Sequence, residues 1–219
     1  MTEETTPSTV ADLSSAPRKD IKCVVIGDNN IGKTTLLIRY TTNILCAPNE
    51  LPCVFDNFTT QVGPNQTLSL FDTHIPEEAS GRLKPLIYAN TDVLLLCFSV
   101  VRGNTSIDNI AHKWLDEMEY YCPGKPFILV GLQTDLRDAA ASDSARRIEE
   151  GYGVTMLRHE NATTTEGGQK IARECRAAGY VECSSVTGVG VREVFEEAVA
   201  VFQRPVPELR RKKSRCVIA

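Results

Sequence analysis

Gly27, Gly32, Lys33 and Thr34 stand at the spacing G-x-x-x-x-G-K-[ST] within VVIGDNNIGKTTLL, Val24 to Leu37. An apolar run precedes the pattern and an amphipathic run follows, so a loop joins a strand to a helix. The backbone N–H groups from Gly27 through Asp28, Asn29, Asn30 and Ile31 to Thr35, with the helix N-terminus, then form a concave positive field for phosphate groups. Lys33 reaches the outer phosphates, and the Thr34 hydroxyl ligates Mg²⁺. Asp72 ends the alternating run LSLFD. It reads either as a cap after a strand or as the carboxylate that serves the Mg²⁺ held at Thr34. Its distance behind the phosphate loop favours the metal role.

The elements around these residues alternate between the two regular periods. IKCVVIG is a buried strand, GKTTLLIRYTTN a helix, and QTLSLFD a strand at one side of a sheet. DVLLLCFSV and PFILVGL are continuous apolar runs, which suit parallel strands covered on both faces. Between them, SIDNIAHKWLDEMEYYC places Ile110, Trp114, Leu115 and Met118 at helical spacing. TEGGQKIARECRAAG is a helix with Thr165 as N-cap, YVECSS a short strand, and VREVFEEAVAVFQR a closing amphipathic helix. This rhythm predicts a doubly wound α/β domain over residues 21–203, with a mostly parallel sheet and helices on both faces. Ligands of that architecture sit at the carboxyl ends of the strands, where the phosphate loop, Asp72 and the later motifs fall.

Bulk composition narrows the classes. With 42% hydrophobic and 24% charged residues, 219 residues make one globular domain with tails. Net charge of -4 gives no reason to expect a nucleic-acid partner. The chain has eight cysteines; Cys23, Cys97, Cys122 and Cys183 lie in or beside apolar runs with no C-x-x-C pair, as buried reduced thiols do. Residues 1–20 are rich in Ser, Thr and Pro and are expected to be a disordered extension without a secretory signal. No apolar run approaches the length of a membrane-spanning helix.

IKCVVIGD, GKTTLLIRYTTN, VFDNF, RLKPLIYANTDVLLLCFSV, LVGLQTDLRD and VECSSVTGVGVREVFEEA together resemble a small GTPase of the Rho family, within the Ras superfamily. The resemblance runs from Ile21 to the C-terminus. It includes a stretch at about 139–160 where that family carries an insert helix; by itself this stretch reads as a surface insert or a partner contact. The resemblance implies GTP and GDP as ligands, with Mg²⁺. It also implies contact with effector proteins through Val54, Phe55, Asp56, Asn57 and Phe58, and exchange factors and a GDI-like chaperone as further partners.

Several positions depart from the family pattern. Its guanine motif, Asn/Thr-Lys-x-Asp, reads Leu132-Gln133-Thr134-Asp135 here. The Asp135 carboxylate accepts two N–H bonds from the guanine edge, a pair adenine does not offer. Gln133 replaces the lysine whose stem covers the base. Ser184 is kept in the second guanine loop, where the Ser185 N–H meets the base carbonyl. Leu45 lies nearest the place of an aromatic that packs on the base. Cys53 stands where a threonine would ligate Mg²⁺, and a thiol is a poor ligand for a hard cation. Ile75 and Pro76 occupy the places of the glycine and glutamine of Asp-x-x-Gly-Gln, and proline has no group to orient a water. Asn29 stands at a usual glycine, where a side chain crowds the glutamine and an activator's arginine. No catalytic residue is assigned.

Residues 204–219 form a polybasic tail ending in Cys216-Val217-Ile218-Ala219, a C-a-a-X lipidation pattern with Cys216 as acceptor, and terminal alanine points to farnesyl. Arg210, Arg211, Lys212, Lys213 and Arg215 against Glu208 leave a net +4 over residues 208–215. One lipid chain holds only marginally, so this patch on anionic lipids is the second signal. The expected protein is a membrane-anchored GTP-binding signalling protein with weak or absent hydrolysis. It would sit on the cytoplasmic face of the plasma membrane or an endomembrane, with a cytosolic pool. A pseudo-GTPase scaffold, a conventional switch and a kinase or ATPase are the alternatives. The intact Gly32-Lys33-Thr34 speaks against the first, Pro76 against the second, and Asp135 with the tail against the third.

Overall fold

The structure, a computed structural model of the chain, describes residues 19–45, 57–73, 77–140 and 162–204. Six strands form one sheet in the order β2-β3-β1-β4-β5-β6. They are β1 (Lys19–Gly27), β2 (Asn57–Gly63), β3 (Gln66–Asp72), β4 (Val93–Ser99), β5 (Phe127–Leu132) and β6 (Gly179–Glu182). Only β2 runs antiparallel, paired with β3 across a two-residue turn at Pro64 and Asn65. The other neighbours pair in parallel. The expected doubly wound α/β architecture is therefore present.

Period-two alternation divides the core. Cys23 and Val25 of β1 face one cluster with Leu36, Leu37, Val194 and Phe195. Val24 and Ile26 face the other with Ile110, Trp114 and Met118. The first layer is covered by α1 (Lys33–Thr42) and the closing helix α7 (Val191–Gln203). The second is covered by α2 (Glu77–Tyr88), by α3 (Asn104–Asn109) with α4 (Leu115–Tyr121), and by α6 (Thr165–Glu174). All seven residues of β4 and all six of β5 are buried, which is why both read as unbroken apolar runs. Each fully buried Val, Leu or Ile contributes about 1.5–3 kcal/mol, so these central strands anchor the sheet.

Three details differ from the sequence reading. QTLSLFD lies one place in from the edge, because NFTTQVG, which has little apolar patterning, forms the edge strand β2 beside it. The N-cap of α6 is Thr164, whose extended backbone lets its hydroxyl accept from Gly167 N, while Thr165 is the first helical residue. The helix after β4 is interrupted: α3 (Asn104–Asn109) and α4 (Leu115–Tyr121) are joined by a π-helical turn, Ile110–Trp114. Helix α5 spans Thr134–Ala140, so it reaches past residue 139. Among the described residues, Cys23, Cys97, Cys122, Cys175 and Cys183 are free thiols, and burial pushes Cys97 up to about 12. No helix there is long and apolar enough to cross a membrane.

Candidate functional site

The carboxyl ends of the five parallel strands come out along one edge, and the strand order reverses beside β1. From β1 the chain enters the phosphate loop. Gly27 has φ 141°, and a Cβ there would lie 2.2 Å from the Cys97 carbonyl oxygen on β4, so no side chain fits. Gly32 has φ 98° and caps α1 without a side-chain hydrogen bond. The first N–H groups of α1 thus lack a side-chain cap, the usual condition of an anion site. Asn30 has φ 58°, the left-handed region, which asparagine enters more readily than most residues. One of the two asparagines therefore has a conformational reason. Both are exposed.

Lys33 is 5% exposed, yet its Nζ donates to the carbonyls of Gly27 at 2.8 Å and Asp28 at 2.7 Å. Burial lowers its pKa, opposed by the nearby Asp72 and Asp28 carboxylates. An ammonium has three donors, and these two bonds leave one for a ligand. Next to it the Thr34 hydroxyl donates to Asp72 Oδ2. Asp72 is buried at the end of β3, in register with Val25. A hydroxyl and a carboxylate meeting at the mouth of the loop form a hard-oxygen donor set, which fits Mg²⁺. No cluster of three or more His, Cys, Asp or Glu suited to a metal occurs among the described residues. Mg²⁺ commonly keeps several waters and needs few protein ligands, so the sparse set is compatible with it.

Contacts behind the loop were not legible as site residues. Asp28 accepts from Asn109 Nδ2 at 3.0 Å and from Trp114 Nε1 at 2.9 Å. Residues five apart sit about 140° apart on an α-helix at roughly 100° per residue, and the wider i→i+5 turn brings them closer to one face. The π-turn thus aims both donors at one carboxylate. Trp114, read as core, is also a support of the loop. Arg102, three residues past β4, donates from its two terminal nitrogens to the carbonyls of Asn29 (3.0 Å) and Asn30 (2.8 Å). Its place beyond a strand's carboxyl end was the available signal.

The motifs expected to recognise the base lie beyond β5 and β6. Asp135 is in the first turn of α5, partly buried. Gln133 has φ 66°, and its Oε1 accepts from the Ser99 hydroxyl at 2.6 Å, so the side chain is tied to the end of β4. Ser184 is buried and its Oγ accepts from Thr187 N, shaping the turn that carries Ser185. Thr134 N donates to Cys183 O at 3.4 Å, linking the two loops. Arg137 reinforces the link with paired bonds to Glu182 at 2.9 and 2.8 Å. Burial of Glu182 works to raise its pKa, but bonds from Arg137, Tyr180 and Thr165 hold it below the ordinary value. Leu45 is 45% exposed after α1.

The structure thus brings Gly27 to Thr35 together with Asp72 at one end of the edge, and Gln133, Asp135, Ser184 and Ser185 at the other. Asn57 and Phe58 open the edge strand β2, where Asn57 pairs with Phe71, the residue before Asp72. Val54, Phe55, Asp56, Cys53, Ile75, Pro76, the stretch 141–161, the N-terminal extension to residue 18 and the tail with Cys216 lie outside the described residues.

A six-stranded, mostly parallel sheet with a glycine-rich phosphate loop after its first strand defines a phosphate-loop nucleoside-triphosphatase fold of the small-GTPase kind. The family comparison agrees. Residues 22–204 match the model of the Ras family, and the chain belongs to it. It is a small GTP-binding signalling protein. Proteins of this family bind GTP and GDP, typically with Mg²⁺, and act with effectors and regulators.

Proposed function

We propose that this protein is a membrane-anchored, Rho-like member of the family that holds guanine nucleotide with Mg²⁺ and cleaves GTP slowly or not at all. The observation that carries the binding half is the cradle: Lys33 buried against two loop carbonyls, with Thr34 and Asp72 joined at its mouth. Lys33 would direct its remaining donor at the outer phosphates. The N–H groups from Asp28 to Thr35 would line them, and Asp135 with Ser185 would read the guanine edge. Thr34 would ligate Mg²⁺, with Asp72 accepting from its waters. Bound there, Mg²⁺ would neutralise phosphate charge. Pro76, at the place of the family's water-orienting glutamine, supports the slow-cleavage half, because it has no donor or acceptor side chain to set a water in line. Signalling output would then follow expression, location or modification rather than a hydrolysis cycle. Effectors would meet Val54 to Phe58, and exchange factors and a GDI-like chaperone are further proposed partners.

Cys216 as a prenyl acceptor beside the basic run Arg210 to Arg215 supports residence on the cytoplasmic face of the plasma membrane or an endomembrane, with a cytosolic pool. Two measurements test this account. Protein purified under native conditions is denatured and the released small molecules are chromatographed; guanine nucleotide is expected. Its absence, with no Mg²⁺-dependent binding of added GDP, would favour a scaffold without nucleotide. In cells, Cys216→Ser moves the protein from membranes to the soluble fraction, and unchanged partitioning refutes the anchor.

A further inference from the structure

The phosphate loop is held by two cations working from different sides. Lys33 takes the carbonyls of Gly27 and Asp28, and Arg102 takes those of Asn29 and Asn30. Four consecutive loop carbonyls thus accept from charged donors. We infer that Arg102 is a positioning residue for the phosphate loop, acting as a two-pronged strut that fixes the Asn29 and Asn30 peptides so that their following N–H groups stay aimed at a phosphate. This inference rests on the proposal that the loop holds nucleotide.

The need for a strut follows from the loop's composition. Asn30 sits at φ 58°, a conformation that costs a non-glycine residue free energy and persists only when its surroundings hold it. Both asparagines are exposed, so packing does not supply that restraint. A planar guanidinium can span two neighbouring carbonyls at 3.0 and 2.8 Å, whereas a lysine ammonium is a single point of charge. Arg102 itself lies on the surface, in the turn before α3, and it opens the same helical segment whose Asn109 and Trp114 hold Asp28. The second element of the sheet's switch point therefore grips the loop at three successive residues, Asp28, Asn29 and Asn30. Among the described residues the strut bonds to backbone carbonyls, so it acts on where the N–H groups point.

The test compares wild type, Arg102→Ala and Arg102→Lys in the full chain. Backbone ¹⁵N order parameters are measured for Asn29, Asn30 and Ile31 without nucleotide, and dissociation rates are measured for a fluorescent GDP and GTP. Order parameters are expected to fall from about 0.85 towards about 0.6 in Arg102→Ala. Both nucleotides should leave about tenfold faster, the scale of one charge-assisted contact. Arg102→Lys should lie between, and the thermal midpoint should stay at the wild-type value. Unchanged loop order overturns the strut, as does a loss of order spread over the sheet with a lowered midpoint. Loosened loop order with unaltered dissociation rates overturns its role in holding nucleotide. Should wild type take up no guanine nucleotide, the proposed function fails, while the order parameters still decide whether Arg102 fixes the loop.

Discussion

The phosphate cradle and the base-recognition loops are built to different tolerances. In the cradle the ligand-facing residues are those the motif demands, and supports converge on them: Lys33 on two carbonyls, Asn109 and Trp114 on Asp28, Arg102 on the two asparagines. In the base loops the scaffold is equally well tied, through Arg137–Glu182 and Thr134–Cys183. The residue that would cover the base, however, is Gln133, and its side chain is bonded to Ser99 instead. The difference teaches that scaffold and ligand contacts can diverge separately. On the proposed reading, a charge-dominated phosphate grip would tolerate the loss of one apolar base contact.

Removing the cradle's cation gives the largest expected effect. Lys33→Ala leaves two loop carbonyls without their donor and the phosphates without a counter-charge; guanine-nucleotide affinity should fall more than about a hundredfold, read by titration with labelled GDP. Affinity within about threefold of wild type would show that the cradle is not the principal grip. Next comes the proposed base contact, Asp135. In Asp135→Ala the preference for GDP over ADP should drop about thirtyfold, since two charge-assisted bonds go with the carboxylate. An unaltered preference would mean that another group reads the base.

Glu182→Gln probes scaffold rather than ligand. Removing the charge from a partly buried pair should cost about 2 kcal/mol in denaturant unfolding at neutral pH. The carboxyl's folded pKa lies below its unfolded one, so this stabilisation is complete above the ordinary glutamate value of about 4.3 and is lost as pH falls through the folded value. The gap between wild type and Glu182→Gln should therefore close on acidification; a gap constant from neutral to strongly acidic pH contradicts the pairing. The smallest effect sharpens the comparison itself. Gln133→Lys releases the Ser99 tie and restores a longer stem over the base, so nucleotide should dissociate about threefold more slowly. Faster dissociation would show that the Ser99–Gln133 bond holds the base loop in shape.

What the sequence disclosed follows from how local each signal is. β4 and β5 are apolar at every position because both faces are covered, and the phosphate loop is a contiguous motif between a strand and a helix. β2 escaped notice because an edge strand alternates exposed and half-buried residues with few apolar ones. Helix α2 carries Gly81 and Pro85, both poor helix interiors. The supports of the loop are long-range pairs: Asp28 meets residues 81 and 86 positions later, and Arg102 reaches back 72 and 73. No periodicity encodes such pairs. The π-turn that unites Asn109 and Trp114 is invisible to a pattern tuned to 3.6 residues per turn.

The central claim is that the protein grips guanine nucleotide and scarcely cleaves it. Single-turnover hydrolysis tests it most directly. Wild-type protein is loaded with γ-³²P-labelled GTP and Mg²⁺, freed of excess nucleotide, and followed for released phosphate at fixed temperature. The account predicts that GTP stays bound and intact for hours. Complete release of phosphate within minutes, abolished in Lys33→Ala, would contradict it.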